Sequence, residues 1–297
     1  MATLKAWLGV ARAPFLLLPV TLVASGAAAA AYAYAADWRR TLLSLVGLLT
    51  LHISVNALNE ASDFRTGIDL KTRRTPFSGG SGTLPAGALP PRAAFLLGLA
   101  TAGIGLAIGI VLLLEVGPIL LPILVVGAVC VLAYADILAR RGAGELAAGL
   151  GLGALPVLGT AVVQNGTLPV EAFAAAVPAF LMTFNLLLLN EFPDEEADRE
   201  GGRKHLVILL GRRAAALVYA TAALLTPASI VVAVAAQALP KACLFAALPS
   251  LLLALPLRWA FTDPKQPVPV PALAANVGWN LLTNAALAAT LLIASGS

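Results

Sequence analysis

An all-α polytopic membrane bundle of about nine transmembrane helices is the fold this sequence predicts, and three observations predict it. Only 11 % of the 297 residues are charged while 60 % are hydrophobic, against roughly a quarter charged in a soluble domain. Apolar runs of about 18 residues or more, the length that crosses a bilayer, recur along the chain. The basic residues fall almost entirely in alternate loops between those runs.

The runs cover roughly 14–36, 40–62, 92–114, 117–138, 145–164, 169–190, 211–236, 241–261 and 269–294, with boundaries good to about two to four residues. The first continues into a polytopic pattern and reads as a span rather than a cleavable leader. Breaks such as Gly117-Pro118, Gly142 to Gly144 and Asn165-Gly166 separate neighbours, and two longer interruptions, 63–91 and 191–210, hold most of the polar chemistry. With nine alternating spans, sixteen of the nineteen Lys and Arg residues lie on one side, leaving Arg39, Arg40 and Lys241 on the other. The positive-inside rule makes the first side cytoplasmic, so both polar interruptions face the cytoplasm. Basic residues confined to short loops do not form a nucleic-acid surface. Cys130 and Cys243 lie within apolar segments without a paired spacing, so neither a disulfide nor a thiolate metal site is expected. Residues 1–297 read as a single domain. Scattered Gly and Ala permit close helix packing within or between chains, so oligomeric state is not set by the sequence.

The second span ends with His52, Asn56, Asn59 and Asp63 at intervals of four, three and four, one stripe of a helix. Polar groups facing lipid are costly, so the stripe should face the bundle interior or a wet cavity. At the end of the sixth span Asn190, Asp194 and Asp198 repeat a four-residue interval within a run of six carboxylates from Glu191 to Glu200. Carboxylates at that spacing repel unless a cation lies between them. Oxygen-only ligands suit a hard ion such as Mg²⁺, which binds through one or two carboxylates plus substrate phosphates. Candidate metal ligands are therefore Asn59, Asp63, Asp69, Asn190, Asp194 and Asp198, with Gly67 expected to turn Asp69 back over the site. Between the clusters a basic, Gly/Ser-rich loop carries Lys71, Arg73, Arg74 and Gly79 to Gly82, and Arg203 and Lys204 follow the second cluster. Arginine forks and free glycine N–H groups match phosphate oxygens, so Arg65, Lys71, Arg73, Arg74, Arg203 and Lys204 are candidate diphosphate ligands. Arg92, Arg212, Arg213, Arg258 and Lys265 read as topology signals, and Glu195 and Glu196 as solvent-facing. His52 suits a helix–helix hydrogen bond first and an acceptor contact second.

At these residues the chain resembles the UbiA superfamily of intramembrane prenyltransferases. Asn59-Glu-Ala-Ser-Asp63-Phe-Arg-Thr-Gly67-Ile-Asp69 is similar to that family's first Asp-rich motif and Asn190-Glu-Phe-Pro-Asp194-Glu-Glu-Ala-Asp198 to its second. Arg12-Ala-Pro14 is similar to the Arg-Pro often found at its first span. The Asp63-x3-Gly67-x-Asp69 spacing, Gly142-Ala-Gly144-Glu145 and the stretch from Gly153 to Gly166 look like the menaquinone branch, which prenylates dihydroxynaphthoate. Three places depart from the pattern. Glu60 stands where Asp is usual, Gly202-Arg203-Lys204-His205-Leu206 where the branch often has Gly-Lys-Arg-Thr-Leu, and Arg73-Arg74-Thr75-Pro76 where relatives commonly have Arg-Pro.

The resemblance implies a Mg²⁺-dependent transfer of a polyprenyl group from its diphosphate to an aromatic acceptor, with Asp63, Asp194 and Asp198 as catalytic residues. It adds Tyr134 and Arg140 to His52 and Asn56 as candidate acceptor contacts. The expected partners are a polyprenyl diphosphate, the acceptor and the bilayer, in the inner (plasma) membrane of a prokaryote with the site open to the cytoplasm. Acceptors other than the naphthoate (hydroxybenzoate, another quinone or pigment precursor, a glycerol phosphate lipid) stay open, with Arg140-Arg141 keeping the last in view. An ion-coupled transporter would carry a polar stripe through to the far side, where the only acids are Asp37, Glu115 and Glu171.

Overall fold

The computed structural model of the chain describes residues 3–296. Thirteen helical elements are numbered here in chain order. A short α1 (Leu4–Val10) precedes the first span, α2 (Ala13–Ala33). Then come α3 (Trp38–Thr66), a single turn α4 (Ile68–Lys71), α5 (Pro91–Val116), α6 (Pro118–Leu132), α7 (Gly144–Asn165) and α8 (Val170–Glu191). Two short helices, α9 (Glu195–Glu200) and α10 (Leu206–Leu210), lead to α11 (Arg212–Ala235), α12 (Lys241–Thr262) and α13 (Val270–Ser295). Among the described residues, eight helices are long and apolar enough to cross a membrane.

The segment expected to be a ninth full span differs. α6 stops at Leu132, and the chain continues through a wide π turn over Tyr134–Leu138, closed by Leu138 N–H to Ala133 O (2.9 Å) and Ala139 N–H to Tyr134 O (2.9 Å). Turns of this kind redirect side chains and recur at functional sites.

Local chemistry sets the ends of the helices that matter for function. The Asp37 carboxylate caps α3 by accepting from Arg40 N–H (3.0 Å). Gly67 ends it in the left-handed region, φ 79°, where a side chain would be strained. α8 ends at Glu191 because Pro193 brings no N–H to continue the ladder. The α12 segment carries Pro249 and winds tightly as a 3₁₀ helix over Lys241–Leu253.

The largest core cluster is built mainly of alanine: Ala28, Ala29 and Ala30 of α2 meet Ala154 and Ala161 of α7 and Ala172, Ala175, Ala176 and Ala179 of α8. With lipid outside, association rests on close backbone approach rather than on hiding oil from water. Polar bonds fix the register of α8 within this bundle. Asn185 Nδ2 donates to Tyr219 O (2.9 Å), Tyr219 Oη to Asn276 Oδ1 (3.0 Å) and Asn276 Nδ2 to Asn185 O (3.3 Å). Outward faces are apolar, as at Leu114, Leu251 and Ile293.

The loops segregate by end. At one end Arg39 and Arg40 meet Glu115, and Arg40 donates to Val163 O and Gln164 O. At the other, Arg12 meets Glu60, Arg65 meets Asp136, Lys71 meets Glu200, and Arg212 bonds Pro264 O and Gln266 O.

The tightest helix approach gives a stability test. A Cβ on Gly26 would lie 2.4 Å from Val157 O and 2.9 Å from Thr160 Cβ, whereas one on Gly103 meets nothing within 4 Å. Gly26→Val should therefore cost about 1–3 kcal/mol through overpacking, read as a lower unfolding midpoint in detergent. Gly103→Ala should leave that midpoint unchanged or raise it slightly.

Candidate active site

A cavity of about 1180 Å³, counted out to its open mouth, enters the bundle from the end where the two acidic clusters lie. All six candidate metal ligands line it: Asn59, Asp63, Asp69, Asn190, Asp194 and Asp198. So do His52, Asn56, Tyr134 and Arg203. Its deeper wall is apolar, with Leu18, Val55, Val131, Leu152, Leu186 and Leu187.

Each cluster reaches the cavity by a different local device. Asn59 and Asp63 lie one turn apart on α3, and Asn59 Nδ2 donates to Asp63 Oδ2 (2.7 Å). Asp69 is returned to the site by the Gly67 turn and is 2 % exposed. Asn190 stays on α8, while Asp194 and Asp198 stand on the turn after the helix break. There Asp198 N–H bonds Asp194 O (2.9 Å), which keeps an approximately helical interval across the break. The loop between the clusters closes over them. Gly79 N–H donates to Asp194 Oδ2 (3.0 Å). Gly80, at φ 71°, passes so close to Asp69 that a Cβ there would lie 2.6 Å from its Oδ1.

Arg203 joins the two halves. Its Nη2 donates to Asn59 Oδ1 (2.7 Å) and Asp63 Oδ1 (2.5 Å), and its Nε lies 3.6 Å from Asp198 Oδ1. The other predicted cations lie elsewhere. Arg65 bonds Asp136 (2.6 Å) and Lys71 bonds Glu200 (2.6 Å), both well exposed. Arg74 donates to the backbone of Asp69 (2.9 Å), supporting the loop from outside the cavity lining. Arg73 and Lys204 are exposed, and Arg140 packs against Gly202, all three off the cavity lining. Arg212, read from sequence as a topology signal, is a clamp: it bonds Phe192 O (3.0 Å) and Glu195 Oε2 (3.1 Å) and lies over the Phe192 ring. That contact also takes Glu195 out of the solvent-facing role expected of it.

Several lining or supporting groups were named in the sequence only by likeness to the family or departure from it, and not as site residues. Arg12 lines the cavity from the start of α2 with a left-handed backbone, φ 51°, a conformation that costs a non-glycine residue on the order of 1–3 kcal/mol. Glu60, although in the first motif, turns to the loop: it accepts from Ser81 N–H (2.7 Å), Ser81 Oγ (2.7 Å) and Arg12 Nε (3.1 Å). Glu145 is buried and accepts from Leu206 N–H (2.6 Å), fixing the start of α10. Buried His205 stands beside Asp198, Nε2 to Oδ2 3.4 Å. No spacing rule marks the contacts of Arg12, Glu60 and Glu145, because each joins segments far apart in the chain.

The donor set fits a hard divalent cation. Asp69 Oδ2, Asn190 Oδ1 and Asp194 Oδ1 are buried oxygens without a hydrogen-bond partner among the described residues, on residues lining one cavity, and such groups ordinarily find one. Among the described residues no three acidic, His or Cys side chains already converge as a metal cage. Mg²⁺ characteristically completes its shell with water and substrate phosphate, so it requires no such cage.

The sequence matches the profile of the UbiA prenyltransferase family over residues 17–282. The chain belongs to that family. The 1,4-dihydroxy-2-naphthoate octaprenyltransferase of Bacillus subtilis is 28 % identical over 206 residues, 66 % of this chain and 65 % of that protein, so the match spans just under two thirds of the relative's length. The protein of the same name from Mycobacterium tuberculosis is 29 % identical over 74 % of each chain. Among solved UbiA homologues, that of Aeropyrum pernix superposes with a TM-score of 0.71 at 18 % identity, covering 92 % of this chain and 96 % of that one. The Archaeoglobus fulgidus homologue, solved with GPP and Mg²⁺, gives 0.69 at 13 % identity over 98 % and 100 %. At these identities the superpositions establish the UbiA fold.

The acid cluster makes cation binding depend on pH. Burial, then the charges of Asp63 and Glu60, pushes Asp69 up to about 7. Burial, then Asp198, pushes Asp194 up to about 7. A cation must displace these protons, so Mg²⁺ affinity should strengthen as pH rises from about 6 to 8. Titrating Mg²⁺ against the unfolding temperature at several pH values checks this, and an affinity flat with pH would reject it. Without the ion, both groups keep protons that the unfolded chain releases from carboxyls near 3.8. Metal-free stability should accordingly fall as pH climbs from about 4 to about 7.

Proposed function

We propose that the protein is a membrane-embedded, Mg²⁺-dependent prenyltransferase that moves a polyprenyl chain from its diphosphate to an aromatic acceptor of the 1,4-dihydroxy-2-naphthoate class. The observation that carries this reading is one cavity with two acid-bearing helix ends at its mouth and apolar walls below. Such a cavity suits an amphiphile with an anionic head and a long hydrocarbon tail. The names of the Bacillus and Mycobacterium relatives favour the naphthoate as acceptor.

In this mechanism Asn59, Asp63, Asp69, Asn190, Asp194 and Asp198 would hold magnesium with the diphosphate. Bound there, the metal supplies positive charge to the departing diphosphate. Asp63, Asp194 and Asp198 are then the catalytic carboxylates. Arg203 contributes a further positive charge to the leaving group, and Gly79 orients Asp194 through its N–H. The allylic C–O bond breaks, the ring carbon of the acceptor takes the prenyl carbon, and the ring then loses a proton or its carboxyl as carbon dioxide. Apolar walls below the mouth keep water from the allylic cation. Tyr134 lines the cavity from the wide turn after α6, which supports a role for it in contacting the acceptor. Arg140 lies outside the cavity lining, which weakens the case for an acceptor bearing its own phosphate. The basic-loop asymmetry supports a mouth facing the cytoplasm, and the bacterial relatives support a prokaryotic plasma membrane.

The test uses the purified full chain in detergent with a long-chain prenyl diphosphate and Mg²⁺, offered dihydroxynaphthoate and hydroxybenzoate in parallel. Product and released diphosphate are read by mass spectrometry. Naphthoate product is expected, with Asp63→Ala and Asp194→Ala each down by about a hundredfold or more in kcat/KM. Lys71→Ala should stay near wild type, because its ion pair is exposed. Hydroxybenzoate product alone would replace the acceptor, and no product from folded protein would reject the reaction.

A further inference from the structure

Two cations line the cavity, Arg12 and Arg203. Arg203 is engaged by Asn59, Asp63 and Asp198. Arg12 is not engaged in that way. Its side-chain bond among the described residues is from Nε to Glu60 (3.1 Å), and its terminal nitrogens are left for the cavity.

This arginine is aimed by construction. Its φ of 51° is unusual for a residue with a side chain. Arg12 N–H to Gly9 O (2.8 Å), Phe15 N–H to Arg12 O (2.9 Å) and Asn56 Nδ2 to Ala11 O (3.1 Å) hold that turn in place. Glu60, 0 % exposed, ties the guanidinium to Ser81 of the loop. The Glu60 carboxylate reaches Arg12 and the loop together. A strained backbone held from several sides and a braced side chain with a free fork point to a ligand. Paired guanidinium nitrogens match a carboxylate.

Asn56, which holds Ala11 O, lies seven residues before Asp63, about 10 Å along α3 at 1.5 Å per residue. Arg12 therefore enters the cavity beside Asn56, on the interior side of Asp63, with its guanidinium braced on Glu60.

We propose that Arg12 receives the carboxylate of the aromatic acceptor through its two terminal nitrogens, with Glu60 and Ser81 as the brace that aims it. This assignment rests on the prenyltransferase reading above and gives that reading its acceptor specificity.

Arg12→Lys keeps the charge and loses the fork, which is not an equivalent exchange at a paired site. Steady-state kinetics on the full chain should show the KM for dihydroxynaphthoate raised about tenfold or more. The KM for prenyl diphosphate and kcat should stay within about threefold. Binding is read separately by calorimetry in nanodiscs. 1-Hydroxy-2-naphthoate should bind wild type and weaken by about tenfold in Arg12→Lys, while 1-naphthol, which lacks the carboxylate, should not discriminate between the two. Ser81→Ala, which loosens the brace and leaves the arginine, should raise the acceptor KM by a smaller factor and serves if Arg12→Lys does not fold. An unchanged acceptor KM, or a rise confined to prenyl diphosphate, overturns the assignment. If wild type makes no prenylated product yet binds the naphthoate through Arg12, the reaction fails and the carboxylate site stands. If it makes product while binding ignores Arg12, the reverse holds.

Discussion

Mutual repulsion among buried carboxylates is the constraint on which this architecture depends. Asp63, Asp69 and Asp198 are each 5 % exposed or less at the end of an apolar bundle, where charges of one sign cannot gather without compensation. Arg203 provides part of it by bridging the two helix ends, and below about pH 7 the protonated forms of Asp69 and Asp194, favoured by burial, provide more. What remains are buried oxygens without partners. The clusters sit on separate helix ends joined through a loop, and Arg203 spans the gap between them.

The loop between α4 and α5 is the second requirement. It is bound to both clusters, by Gly79 to Asp194 and by Ser81 to Glu60. Its glycines allow the backbone to pass within contact distance of Asp69. Because Glu60 also holds Arg12, the beginning of the chain, the end of α3 and this loop form one connected unit around the mouth.

Much of the fold was legible because membrane spans announce themselves by length and polarity. The stripe of His52, Asn56, Asn59 and Asp63 was legible because α3 is an uninterrupted helix, and the structure brings those four side chains to one cavity. The second cluster was read as a four-residue interval at the end of the sixth span; Pro193 breaks the helix within it, and the interval survives because the turn stays close to helical. Cation partners were not legible. Arg65 meets Asp136 and Lys71 meets Glu200 across more than seventy residues, and nothing local in the sequence distinguishes an arginine so engaged from one facing a ligand. The left-handed backbone of Arg12 was equally hidden, since Arg is not a residue type that signals it.

The shortness of α6 has a consequence for the surrounding lipid. At 1.5 Å per residue, Pro118–Leu132 reaches only about 22 Å, less than the roughly 30 Å of a typical hydrocarbon core. The wide turn over Tyr134–Leu138 carries the chain on beyond the helix, and a mismatch of this kind is taken up by local thinning of the bilayer or by flanking side chains that reach to the interface. The flank that carries Tyr134 is therefore where the surrounding lipid should be least uniform in thickness.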